Sequence, residues 1–155
     1  VDRLIHRFKY QQHMPLLNLL TQALGKKLYA LPTNMLEVDG LIPVPMHTTK
    51  LQARGFNQCH WIAKRLCHTL QMPLLPDLCL RSQAGTPQAL KTGHERRTDT
   101  QDVFQLRYAL PEKMKHLVIL DDVITTGATV ESIATLLKTA GAAKVSVWTL
   151  ASAFG

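Results

Sequence analysis

The spacing of apolar and polar positions changes several times along this chain, and each change marks an element. After Pro15, Leu16, Leu20, Leu24 and Leu28 recur every four residues, which predicts an amphipathic helix. Upstream, Arg3–Tyr10 mixes apolar and basic residues, with Leu4, Ile5 and Phe8 spaced for a further helical segment. Leu31–Glu37, carrying Pro32 and Asn34, breaks the pattern. The prolines of Leu41-Ile42-Pro43-Val44-Pro45 argue against a helix, so this apolar run reads as a short strand. A loop, Met46–Gly55, is expected next, followed by a helix with Phe56, Cys59, Ala63, Leu66 and Leu70 on one face. Leu74–Leu80, interrupted by Pro76, and Phe104–Tyr108 read as strands.

Leu117-Val118-Ile119-Leu120 is continuously apolar, as a strand covered on both faces must be. A helix from Thr129 to Ala140 is predicted next, with Val130, Ile133, Ala134 and Leu137 on its apolar side. Gly141 stops it, and Val145–Leu150 supplies a last strand. This alternation of strand, helix and strand is what a parallel βαβ unit requires. The expected architecture is α/β in a single domain over residues 1–155, with a helical extension at 1–37 and an α/β core at 38–155. No internal repeat is visible.

Composition narrows the partners. A length of 155 residues suits one hydrophobic core, and 46% hydrophobic with 19% charged residues excludes a disordered chain. Eighteen Lys and Arg against 11 Asp and Glu give a formal charge of +7, favouring phosphates, nucleotides or nucleic acid. No apolar run approaches the ~20 residues needed to span a bilayer. Val1–His6 lacks the apolar core of a secretory signal. Cys59, Cys67 and Cys79 form no C-x-x-C pair, which suggests buried free thiols in a reducing cytoplasm. Cys59-His60 and Cys67-His68 lie about two helical turns apart, roughly 12 Å, too far to share one metal ion. Trp61 and Trp148 read as core or interface residues.

The chemistry concentrates in Leu117–Thr129. A buried strand delivers Asp121 and Asp122 to the carboxyl edge of a parallel sheet, where α/β proteins bind ligands. Adjacent acids on a strand point to opposite faces, so both are expected to reach a ligand where the chain leaves the sheet. There they can accept hydrogen bonds from neighbouring sugar hydroxyls. Thr125, Thr126, Gly127, Ala128 and Thr129 then turn into a helix whose first amide groups point at an anion. Neither G-x-x-x-x-G-K-[ST] nor G-x-G-x-x-G occurs.

Four apolar residues, two acids, two apolar residues and T-T-G-x-T resemble the phosphoribosyl pyrophosphate (PRPP) signature of type I phosphoribosyltransferases, matching at all thirteen positions. The resemblance implies that Asp121 and Asp122 contact the ribose 2- and 3-hydroxyls and that Thr125–Thr129 hold the 5-phosphate. Three other segments resemble the ComF (competence protein F) branch of that superfamily. These are Leu4–Tyr10, then Val44-Pro45-Met46-His47 with Arg54-Gly55-Phe56-Asn57-Gln58, and Gln88…Arg96…Asp99…Phe104. Asp99 stands where that branch usually has Asn. Many of its members begin with a four-cysteine zinc module, of which this sequence carries no part.

The resemblance implies a type I phosphoribosyltransferase fold in which the loop after the first strand holds pyrophosphate, with Met46, His47, Lys50 and Arg54 as the residues concerned. Arg54-Gly55-Phe56-Asn57 also reads as a helix start, with Asn57 as the cap, so Asn57 and Gln58 are expected to be mainly structural. Arg81–Arg97 is polar, contains Gly85, Pro87 and Gly93, and is too long for an ordinary connection. It falls where the superfamily carries a flexible hood over the active site, with Gln88, Lys91, Arg96 and Arg97 as candidates to meet the ligand. The reaction implied is Mg²⁺-dependent transfer of the phosphoribosyl group of PRPP to a nitrogen acceptor, which no segment identifies. The branch is linked to DNA uptake in natural competence. The alternative is therefore a non-catalytic factor that binds a nucleotide or single-stranded DNA, or contacts a helicase-like competence protein. The sequence leaves the oligomeric state open.

Overall fold

The computed structural model describes residues 14–32, 36–82 and 103–153. In chain order its elements are α1 (Met14–Tyr29), β1 (Gly40–Pro43), α2 (Thr48–Arg54), α3 (Gln58–Leu70), β2 (Cys79–Ser82), β3 (Val103–Leu106), β4 (His116–Ile124), α4 (Ala128–Thr139) and β5 (Lys144–Ser152). The expected helix at Arg3–Tyr10 and the hood residues Gln88, Lys91, Arg96 and Arg97 lie outside the described residues.

The apolar run Leu117–Leu120 forms the middle of the central strand, β4, and all four side chains are fully buried. β4 pairs in parallel with β1 on one side and β5 on the other. Its side chains alternate between two cores, as the two-residue period of a strand demands. Leu117 and Ile119 pack with Val130, Ile133 and Leu137 of α4. Val118 and Leu120 pack with Leu17 and Leu28 of α1 and Ile62, Ala63 and Leu66 of α3. A sheet covered by helices on both faces has no polar side, which is why this segment reads as unbroken apolar sequence. The fold is α/β with a mainly parallel sheet.

Several local expectations are corrected. The buried line of α1 is Leu17, Thr21 and Leu28, with Leu24 partly buried, rather than a strict four-residue repeat. A repeat of four drifts around a helix with 3.6 residues per turn, so the core-facing line takes steps of four and three. Buried Thr21 satisfies its hydroxyl on the Leu17 carbonyl at 2.7 Å. Met46–Gly55, expected as a loop, contains α2, none of whose residues is buried. Leu74–Leu80 is not one strand. Leu74 makes a single parallel bridge to Leu41, and β2 begins at Cys79 after the turn through Pro76. β2 and β3 then form a separate antiparallel pair, with Arg81 opposite Phe104.

Candidate functional site

The acids lie within β4, which continues to Ile124 and remains paired with β5 as far as Ser152. What ends is β1, whose last residue, Pro43, lies opposite Leu120. Val44 donates one more backbone bond to the Leu120 carbonyl at 2.9 Å. From Asp121 onward this edge of β4 is no longer paired with β1, and the opening so created is a cleft of about 370 Å³.

Both carboxylates are held in place. Asp121 Oδ1 accepts from the Asp122 amide at 2.9 Å and from the Cys59 thiol at 3.8 Å. Asp122, only 6% exposed, accepts from the Val123 amide through Oδ1 and from Gln58 Nε2 through Oδ2, each at 2.9 Å. Its carbonyl also receives the Thr149 hydroxyl at 3.3 Å. Two ionised acids side by side repel each other, and donors around each offset that cost.

The other walls come from two short segments. Past β1, Val44, Pro45 and Met46 lead into α2, which contributes Lys50 and Arg54. Gly55, at φ 80°, closes α2 by donating to the Leu51 carbonyl at 2.7 Å, a conformation that glycine adopts without penalty. The chain then turns into α3, capped by Asn57, which presents Gln58 and Cys59 to the cleft. Arg81 enters from β2, with its guanidinium 5.7 Å from the Phe104 ring centre. Thr125 and Thr129 close the far end. Gly127, at φ 81°, stands at the N-cap of α4 and has no side chain to cap it.

Of the residues picked from the sequence, the cleft gathers Met46, Lys50, Arg54, Asp121, Asp122, Thr125 and Thr129. His47, Thr126, Gly127 and Ala128 do not line it. His47 caps α2, with Nδ1 3.3 Å from the Thr49 amide and 2.8 Å from its hydroxyl. Thr126 Oγ1 accepts from the Ala128 amide at 3.4 Å, so these residues shape the turn. Sequence reasoning did not pick four polar or thiol-bearing residues that line the cleft: Asn57, Gln58, Cys59 and Arg81. Gln58 was legible as the last residue of the Arg54–Gln58 signature and as a neighbour of the cap, and was expected to be mainly structural. Arg81 was counted with the loop that follows, although it belongs to a strand.

Three cationic side chains and two carboxylates thus share one cleft, an arrangement suited to a ligand with both hydroxyl and phosphate groups. The Cys59 thiol and the two carboxylates lie within 4.8 Å of one another. The carboxylate oxygens are hard donors of the kind Mg²⁺ takes, whereas a thiol is not.

Residues 82–153 match the phosphoribosyl transferase domain. The DNA utilization protein YhgH of Escherichia coli is 34% identical over 149 residues, covering 95% of this chain and 65% of the relative. Competence protein F of Haemophilus influenzae is 31% identical over 157 residues, covering 97% of this chain and 67% of the relative. Among solved structures, a purine phosphoribosyltransferase from Pyrococcus horikoshii aligns with a TM-score of 0.54 at 22% identity, over 87% of this chain and 71% of that one. That likeness carries the fold. The chain belongs to the competence protein F family, built on the type I phosphoribosyltransferase fold.

Proposed function

We propose that the cleft binds PRPP, or a closely related ribose 5-phosphate, and that the domain transfers its phosphoribosyl group to a nitrogen acceptor. The observation carrying this reading is the placement of Asp121 and Asp122, with Thr125 and Thr129, in one cleft with Lys50, Arg54 and Arg81. The two acids accept hydrogen bonds from the ribose 2- and 3-hydroxyls. The hydroxyls of Thr125 and Thr129, on either side of the turn into α4, receive the 5-phosphate. Met46, Lys50 and Arg54 form the pyrophosphate side, where Arg54 engages phosphate oxygens in pairs. Mg²⁺ bound with the diphosphate would supply neutralising charge for the leaving group. The chain's own contribution is positioning and fixed charge. The setting is the cytoplasm, where PRPP is available; among the described residues no helix is long and apolar enough to cross a membrane.

Calorimetric titration of PRPP with Mg²⁺ tests this, run in parallel on the wild type and an Asp121→Asn, Asp122→Asn double variant. Saturable binding by the wild type alone supports the reading and justifies screening nitrogen bases for pyrophosphate release. A folded wild type that ignores PRPP ends it.

A second reading, a factor that handles single-stranded DNA, rests on a different face. A depression of about 330 Å³ between α1 and α3 and one of about 440 Å³ on α3 adjoin at Arg65 and Thr69 of α3. Tyr29 and Lys26 line the first, Trp61, Lys64 and His68 the second, and no carboxylate lines either. Arg65 stands 4.9 Å over the Trp61 ring. Cations interleaved with aromatic rings suit a phosphate backbone with stacked bases. Salt-dependent binding of an oligonucleotide that survives Asp122→Asn but not Arg65→Ala would favour this reading.

A further inference from the structure

Gln58 stands between the two halves of the cleft. Arg54 Nη1 donates to Gln58 Oε1 at 2.8 Å, and Gln58 Nε2 donates to Asp122 Oδ2 at 2.9 Å. The orientation of the amide is therefore fixed by its partners, because a guanidinium only donates and an ionised carboxylate only accepts. Gln58 is 4% exposed and Asp122 6% exposed, so these bonds form with little competition from water.

We propose that Gln58 is a positioning residue that keeps Arg54 and Asp122 in place and apart; the proposal rests on the reading of the cleft as a PRPP site. A cation and a carboxylate facing the same small space attract each other. Joined directly as an ion pair, they would spend on each other the groups that the diphosphate and the ribose hydroxyls require. A neutral amide between them satisfies one donor of the guanidinium and one lone pair of the carboxylate, and leaves the net charge of each intact. Asparagine is too short to bridge this pair, and glutamate cannot donate to Asp122. The glutamine is placed by its neighbour: Asn57 caps α3, so the next side chain falls on the first turn, facing β4.

The test uses the full chain and two separate probes, ribose 5-phosphate and inorganic pyrophosphate with Mg²⁺, each titrated by calorimetry. Gln58→Met, close in volume and without hydrogen-bonding groups, is expected to weaken both probes by about tenfold. The decisive readout is a pair of double-mutant cycles. Introduced into Asp122→Ala, Gln58→Met should change ribose 5-phosphate affinity less than twofold. Introduced into Arg54→Met, it should change pyrophosphate affinity less than twofold. Effects that simply add in both cycles overturn the proposal, since Gln58 would then act by its own contact. Where the Asp122→Ala protein fails to fold on its melting curve, the Arg54→Met cycle decides alone. A folded wild type that binds neither probe refutes the reading of the cleft itself, an outcome distinct from additivity.

Discussion

Asn57 ties the exit of the first strand to the start of the third helix: its Nδ2 donates to the Val44 carbonyl at 3.0 Å while its Oδ1 accepts from the Cys59 amide at 2.9 Å. One side chain thus caps α3 and fixes the cleft wall formed by Val44. Asn57→Ala removes both bonds and is expected to cost roughly 1–3 kcal/mol of stability, combining a lost cap with an unpaired part-buried carbonyl. Asn57→Ser keeps a capping oxygen but is too short to reach Val44, so its loss should be the smaller of the two. Urea denaturation of the three proteins checks the order; equal losses would mean that the cap contributes nothing, and a serine variant as stable as the wild type would mean that the Val44 bond contributes nothing.

The ease of reading this chain followed the range of the interactions concerned. The strand through Leu117–Leu120 was visible because burial on both faces leaves a continuous apolar run. Asn57 was visible as a cap because capping acts over two or three residues. α2 was not, since a helix without a buried residue leaves no apolar period to detect. The end of β1 opposite Leu120, which opens the cleft, depends on register between distant segments. Gln58 was taken as structural because its bond to Asp122 joins residues 64 positions apart, and no local pattern encodes that.

Gly55 offers a separate test of backbone strain. It holds φ 80°, and a Cβ built there would meet nothing within 4 Å. Gly55→Ala therefore adds no steric clash, and its expected cost of about 1–2 kcal/mol comes from the left-handed conformation alone. Gly55→Asn should cost less, because asparagine tolerates that region. Denaturation midpoints compare them, and an alanine variant as stable as the wild type would show that this turn relaxes.

The thiols give the chain an alkaline limit. Burial pushes Cys67 and Cys79 up from an ordinary 9.0 to about 11 each. A thiol that holds its proton longer when folded contributes stability that is complete below pH 9. As pH rises toward 11, the unfolded chain ionises first and that stability is lost. Melting temperature should therefore fall between pH 9 and 11, and the Cys67→Ala, Cys79→Ala double variant should show a shallower fall. At pH 8 neither thiol should react readily with iodoacetamide until the protein is unfolded, which peptide mass spectrometry can follow.

At the other end of the scale stands Asp39. Its Oδ2 accepts from the Lys115 amide at 2.7 Å and the His116 amide at 2.8 Å, while its own amide donates to the His116 carbonyl at 2.8 Å. It thereby pins the entry of β1 against the entry of β4. These donors, first the His116 amide and then that of Lys115, hold the carboxyl below its usual 3.8. With the folded value depressed, the contribution is complete above the unfolded pKa and is lost as pH falls through the folded one. Asp39→Asn does not titrate and offers these amides only a neutral oxygen. The stability gap between wild type and variant should therefore be constant above about pH 5 and narrow below pH 4. Denaturation curves at several pH values measure it. A gap unchanged down to pH 2 would mean that the carboxylate's charge adds nothing to this junction, leaving the register of β1 on β4 to the backbone ladder and the buried leucines.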